Sequence, residues 1–264
     1  MRLEQKVTVI VGGATGFGRA TAERFAQEGA TVVVLGRRGD LAAETGRSLG
    51  GSGFACDLTD FEQVDAVTAE IVAEYGRIDA AVNYAGYQQH QELKDLTPDS
   101  LRSMVEVQFL AAVWFIRAMA EAMTGGGGGS IISTSSLTAH NPVAGQVAYA
   151  ASKKGLEYAS EIAAIEYGPA GVRVNCIAAH LIETPMTADI FENRLVVEAV
   201  RQQTPLGRMG SVADIANTAL FLASDESGYI SGQTIRVDGA ASTQKLPTTN
   251  DFALLAAAAP DLLG

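Results

Sequence analysis

The sequence predicts an α/β protein of the Rossmann-like, doubly wound type, and three observations predict it. Short runs rich in Val, Ile and Ala alternate with segments of helical spacing along most of the chain. A glycine-rich turn follows the first of these runs, and polar residues suited to chemistry recur directly after later ones. Strands with no polar face are those buried on both sides, as in parallel sheets joined by right-handed crossovers. Such sheets bind ligands beyond the carboxyl ends of their strands, where strand order reverses.

The elements follow in order. KVTVIV at 6–11 is a β-rich run ending in glycines, and residues 19–28 put Ala20, Phe25 and Ala26 on one helical face. TVVVL at 31–35, a helical piece over 40–49, GFACD at 53–57, a helix over 61–75 and IDAAVN at 78–83 repeat the pattern. Thr97-Pro98 opens a long helix predicted over 99–123, since proline suits a first helical turn. Five glycines at 125–129 end it as a surface loop, because the strand SIISTSS follows at once. A helix over 147–168, the strand VRVNCIA, an irregular stretch to residue 206, a helix over 211–223 and the strand TIRVD complete the core.

The 264 residues suit one domain spanning 1–264, with 47% apolar residues to fill its interior. A net charge of −11 repels nucleic acid and anionic membrane surfaces, so neither is an expected partner. Cys56 and Cys176 stand apart in apolar runs, which reads as two reduced structural thiols and no metal site. The N-terminal apolar run is too short for a signal peptide, and the stretch over 109–123 carries Arg117 and Glu121 and falls short of a membrane span. The cytoplasm is the expected location.

In the first half, Gly12-Gly13-Ala14-Thr15-Gly16-Phe17-Gly18 joins strand to helix. Without Cβ atoms, backbone N–H groups at the helix N-terminus approach a pyrophosphate, which the helix dipole favours in spite of the acidic net charge. Gly12, Thr15, Gly16, Phe17 and Gly18 are therefore candidate dinucleotide contacts. After the second strand stand Arg37 and Arg38, where an NAD-binding fold commonly places an acid; they suit a 2′-phosphate, so NADP(H) is favoured over NAD(H). A solvated basic turn is the alternative. Asp57, with Leu58 beside it, is placed to face the adenine, although a turn-forming Asp explains it too.

In the second half, Tyr149 and Lys153 are four residues apart on a predicted helix and so share a face. Ser136 ends the strand SIISTSS, thirteen residues upstream. With the N-terminal glycines, these residues resemble the short-chain dehydrogenase/reductase family over nearly the whole length. Gly12, Gly16 and Gly18 match its glycine motif, Asn83-Tyr84-Ala85-Gly86 its Asn-Asn-Ala-Gly motif, and Ser136, Tyr149 and Lys153 its catalytic triplet. Thr184-Pro185-Met186, Pro205-Leu206-Gly207-Arg208 and Val237-Asp238-Gly239 resemble later landmarks.

The resemblance implies a three-layer sandwich with a seven-stranded parallel sheet, a homotetramer, and hydride exchange between a nicotinamide dinucleotide and a secondary alcohol or ketone. Tyr149 is the implied general acid and base. A free phenol has a pKa near 10, and an ammonium close by lowers an acid's pKa by roughly 1 to 3. Lys153 is implied to supply that charge and to bind the nicotinamide ribose, and Ser136 to steady the substrate oxygen. Asn83, Ala85, Gly86, Ile182 and Thr184 join the implied dinucleotide site, Thr184 at the carboxamide. Thr138, His140, His180 and Met186 join Ser136 and Tyr149 as candidate substrate contacts, with Asn141 and Gln146 nearby. Residues 183–206 match a substrate flap whose Met186, Ile190, Phe191 and Leu195 predict a fairly hydrophobic substrate.

Three positions depart from the pattern. Val11 replaces a threonine before the glycines, Gln108 stands where a fourth catalytic residue is usually asparagine, and Ala179-His180 replaces Pro-Gly. A cofactor-sensing protein with decayed chemistry and a ketoreductase for thioester-bound acyl chains are the competing functions. The tail over 242–264 is expected to cover a site, to dock at a subunit interface, or to be disordered.

Overall fold

The computed structural model describes residues 1–243; the tail expectation falls almost wholly outside them. Seven strands form one sheet in the order β3-β2-β1-β4-β5-β6-β7. They are β1 (Val7–Val11), β2 (Thr31–Gly36), β3 (Ser52–Ala55), β4 (Ala80–Asn83), β5 (Gly129–Ser136), β6 (Val172–Ala179) and β7 (Thr234–Val237). Every adjacent pair is parallel. From β1 the chain runs outward to β2 and β3, then crosses back to β4 on the other side, so the reversal lies between β1 and β4.

Alternation along the strands feeds two cores. Val9 and Val11 of β1 pack with Val33, Leu35, Ile131 and Val174 on one face, while Ile10 packs with Val32, Val34, Ile132 and Ile177 on the other. The first face is covered by α3 (Phe61–Tyr75), α5 (Ala111–Gly126) and α6 (Val147–Tyr167), through Ile71, Phe115, Met119 and Leu156. The second is covered by α1 (Gly16–Gln27), α2 (Gly39–Ser48) and α9 (Val212–Ala223), through Phe25, Ala42, Ile215 and Leu220. Each such side chain, fully buried, contributes about 1.5–3 kcal/mol, which explains why the strands read as unbroken apolar runs.

Three expectations change. The glycine run is not a loop throughout: α5 continues to Gly126, Gly127 and Gly128 turn at φ 91° and 104°, and Gly129 already belongs to β5. A Cβ at Gly128 would lie 2.5 Å from the Gly171 carbonyl oxygen, so the run packs strand ends together. The predicted 99–123 helix is α4 (Pro98–Val105), a π-helical turn over Glu106–Leu110, and α5; Thr97 and Ser100 form its capping box. This 29-residue run is long and apolar enough to cross a membrane, with a mean hydropathy of 1.4 in its most apolar window. Half of that window is buried, with Phe115, Met119 and Met123 in the core, as befits a core helix. Finally, the irregular stretch to 206 contains α7 (Ala188–Glu192) and α8 (Arg194–Gln203), the latter capped by the Asn193 side chain.

Candidate active site

The turn after β1 is shaped by what it lacks. Gly12 and Gly16 adopt φ of 73° and 52°, and a Cβ on Gly18 would collide with the Gly12 carbonyl oxygen, so α1 starts hard against the strand end. Thr15 caps α1 through backbone geometry alone, its side chain making no capping bond, which leaves the first N–H groups of a twelve-residue helix facing the cleft. This cradle, which side chains would fill, fits a pyrophosphate. Phe17 packs edge-on against Tyr84, and the Tyr84 hydroxyl bonds Thr21 at 2.8 Å. Burial pushes that phenol's pKa well up.

Arg37 and Arg38 lie exposed at the carboxyl end of β2, and among the described residues neither guanidinium is hydrogen-bonded or ion-paired. Asp57 accepts from the Thr59 N–H at 3.0 Å and the Thr59 hydroxyl at 2.8 Å, the local turn its alternative reading named. Those bonds, with the charge of Arg37, hold its carboxyl below the ordinary value. Leu58 turns its side chain into the core, leaving only its backbone for a ligand. Asn83 closes β4 by accepting from the Ala85 N–H at 2.9 Å, and its carbonyl accepts from the Thr134 hydroxyl at 2.9 Å.

Across the switch point, Ser136 Oγ accepts from the Thr138 hydroxyl at 3.0 Å and the Thr138 N–H at 3.2 Å. A hydroxyl has two acceptor lone pairs and one proton, so Ser136 retains only its donor, and it pulls down the pKa of the neighbouring Tyr149 phenol. Lys153 is buried, donates to the Thr134 carbonyl at 2.7 Å, and lies 5.7 Å from the Tyr149 ring centre. Burial drives both groups toward neutrality: it raises the Tyr149 phenol, an effect opposed by Ser136, and lowers the Lys153 ammonium to about 8. The sequence leads one to expect a phenol whose pKa its lysine lowers; in the folded chain burial is the largest influence on it and raises it.

Gln108 sits in the π-helical turn, 1% exposed, with Nε2 donating to the Tyr87 carbonyl and Oε1 buried without a partner among the described residues. A Cβ on Gly86 would lie 2.8 Å from that oxygen, so the glycine after Asn83-Tyr84-Ala85 makes room for the amide. π-helical turns of this kind frequently mark functional sites.

Beyond β6, Ala179 is buried, and His180 has a buried Nε2 without a partner among the described residues. Burial lowers its imidazole pKa, against the pull of Asp238. Ile182 is 2% exposed and bridges to Gly210. Thr184 lies over Gly16, where a Cβ would come 3.5 Å from its own Cβ, so the flap root meets the glycine turn. Its hydroxyl and N–H both engage Thr187 Oγ1, at 3.1 and 3.0 Å, and Thr187 in turn donates to the Ile182 carbonyl at 2.7 Å. Thr187 was missed, although the Thr-Pro-Met-Thr spacing pairs the two hydroxyls. Met186 is 57% exposed. His140 is tied to Glu157, and His90, given no role from the sequence, lies against Gly145 just before α6.

A glycine cradle at the first strand-to-helix junction and a Ser-Tyr-Lys cluster across the switch point define a nicotinamide-dependent oxidoreductase of the Rossmann type. Residues 12–242 match a family profile described as Enoyl-(Acyl carrier protein) reductase. Relatives include a 3-oxoacyl-[acyl-carrier-protein] reductase of Thermotoga maritima, 37% identical over 90% of this chain and 98% of that protein. A 2,5-dichloro-2,5-cyclohexadiene-1,4-diol dehydrogenase of Sphingobium indicum is 37% identical over 90% and 96%. Among solved structures, a short-chain dehydrogenase/reductase from Mycobacterium ulcerans superposes with TM-score 0.88 at 29% identity, covering 97% of this chain and 96% of that one. Levodione reductase gives 0.86 at 27%, covering 92% and 100%. The chain belongs to the short-chain dehydrogenase/reductase family, and it is an oxidoreductase acting on CH–OH donors with NAD or NADP.

Proposed function

We propose that this enzyme interconverts a secondary alcohol and a ketone with Tyr149 as general acid and base, preferring NADP(H) to NAD(H). The observation that carries the reading is Ser136: with both acceptor sites filled by Thr138, its proton is all it has left to offer, to Tyr149 or to a substrate oxygen beside it. When bound, the dinucleotide supplies or accepts the hydride. Gly12, Thr15, Gly16, Phe17 and Gly18 hold its pyrophosphate, Asn83, Ala85, Gly86 and Ile182 line its path, and Thr184 orients its carboxamide. Arg37 and Arg38 take the 2′-phosphate, with Asp57 and the Leu58 backbone at the adenine.

For ketone reduction, the raised phenol pKa keeps a proton on Tyr149 Oη to deliver to the carbonyl oxygen, while Ser136 donates to that oxygen and holds it in place. For alcohol oxidation, Tyr149 Oη takes the hydroxyl proton, and a charged Lys153 stabilises the phenolate. Gln108 takes the place of the fourth catalytic residue, with its unpartnered oxygen available to pass protons between Lys153 and solvent. Thr138 fixes Ser136, while His180 and Met186 face the substrate; the flap over 183–206, with Met186 and Leu195 exposed, favours an apolar one. Apolar side chains left exposed on α6, Tyr158 at 66% and Ile165 at 77%, suit a homotetramer. Replacing Tyr149 with Phe and following nicotinamide absorbance tests the reading: turnover is lost while dinucleotide affinity holds, and full turnover in the variant overturns it.

A further inference from the structure

A buried carboxylate lies beneath the catalytic groups with no part in the chemistry above. Glu157 is 2% exposed on α6, at the third of three positions four residues apart, Tyr149, Lys153 and Glu157, which form one stripe of the helix. Its Oε1 accepts from the Ser135 hydroxyl at 2.6 Å and from His140 Nε2 at 2.8 Å; its Oε2 accepts from Lys154 Nζ at 3.0 Å. Ser135 immediately precedes Ser136, and His140 ends the short 3₁₀ turn Leu137–Ala139 that carries Thr138. The Leu137 carbonyl accepts from the N–H groups of His140 and Asn141, both at 2.9 Å, so the turn is closed on itself as well.

We propose that Glu157 is a positioning residue: one carboxylate oxygen gathers both ends of the 135–140 segment and fixes the Ser136 hydroxyl against Tyr149. Burying a carboxylate costs several kcal/mol, and a pair with Lys154, whose side chain is 60% exposed, offsets little of that. An apolar residue would pack there at lower cost, so the charge is best accounted for by where it places its donors. Ser136 holds its proton in line only while Thr138 stays put, and the turn bearing Thr138 is held to α6 through His140. Misplacing a reacting group by about 1 Å typically costs about a hundredfold in rate. His140 therefore serves the site as a tether, not as a substrate contact.

The inference rests on Ser136 and Tyr149 as the reacting groups, and the test separates the two claims. Steady-state kinetics and dinucleotide affinity are measured for Glu157→Gln, Glu157→Leu, His140→Ala, the double variant Glu157→Leu with His140→Ala, and Tyr149→Phe. Glu157→Leu and His140→Ala each lower kcat about tenfold or more with dinucleotide affinity unchanged. The double variant is no worse than Glu157→Leu, because both remove one tether. Glu157→Gln keeps an acceptor oxygen and recovers part of the rate; together with His140→Ala it carries the test should Glu157→Leu fail to fold. Additive losses, or kcat within twofold of wild type in the folded variants, overturn the clamp. If Tyr149→Phe is inactive while the clamp variants are normal, only the clamp fails; if Tyr149→Phe is active, the reading of the reacting groups fails.

Discussion

The two halves of the cleft are made in opposite ways. Beside β1 and β2 the site consists of missing atoms: glycines at positive φ, a helix start without a side-chain cap, and arginines with no partner among the described residues. Beside β5 and β6 it consists of polar groups forced into the interior: Lys153, Glu157, Gln108 and Ser136 are each at most 9% exposed. The first half is given its shape by the backbone. The second takes ionisable groups out of water, which works against stability.

This contrast can be broken at several points. Tyr149→Phe has the largest effect, lowering kcat about a thousandfold, equivalent to about 4 kcal/mol of transition-state stabilisation, with dinucleotide Kd unchanged. A parallel rise in Kd, read by fluorescence titration, would mean that the halves are not separable. Lys153→Met abolishes turnover and yet raises Tm by about 2–4 °C for each kcal/mol of burial cost it relieves, as calorimetry would show. The sign follows from the depressed native pKa, about 8 against 10.5 for a free lysine. Below pH 8 the folded enzyme bears the full cost of burying the charge. Between pH 8 and 10.5 the folded lysine is neutral while the unfolded one is still charged, so wild-type stability rises with pH relative to the variant. A gap in Tm that widens over this range would show that the lysine is not strained.

On the dinucleotide side, Gly18→Ala forces a methyl group into the Gly12 carbonyl and lowers stability by about 1–3 kcal/mol, whereas Gly36→Ala, with nothing within 4 Å, leaves Tm within a degree or two. Equal effects at the two glycines would deny that close approach is what the first half needs. Smaller still, Arg37→Ala with Arg38→Ala weakens NADPH binding about tenfold, or about 1.4 kcal/mol, and leaves NADH unchanged. An unaltered preference in paired titrations would remove the phosphate clamp.

The same contrast governs what could be read from the sequence. The glycine turn, the parallel strands implied by unbroken apolar runs, and the Tyr149–Lys153 spacing on one helix are local patterns, and the structure reproduces them. Glu157 was passed over because its neighbours, Ser135 and His140, lie 22 and 17 residues away and meet it only once α6 packs on β5. His90 was unplaced for the same reason: Gly145 is brought to it by packing between loops. The π-helical turn at Gln108 leaves no trace in helical periodicity over so short a span. Nor does any spacing record the burial that raises the Tyr149 phenol.

That turn has one consequence beyond its position. A single-turn π segment amounts to one surplus residue within an α-helix, and here it lies between α4, which packs on α6, and α5, which packs on the sheet. The Gln108 amide is thus displaced toward Gly86 without disturbing the packing on either side. Shortening 106–110 by one residue would regularise the helix and spare the core while withdrawing the amide, which makes this segment a detachable part of an otherwise rigid scaffold.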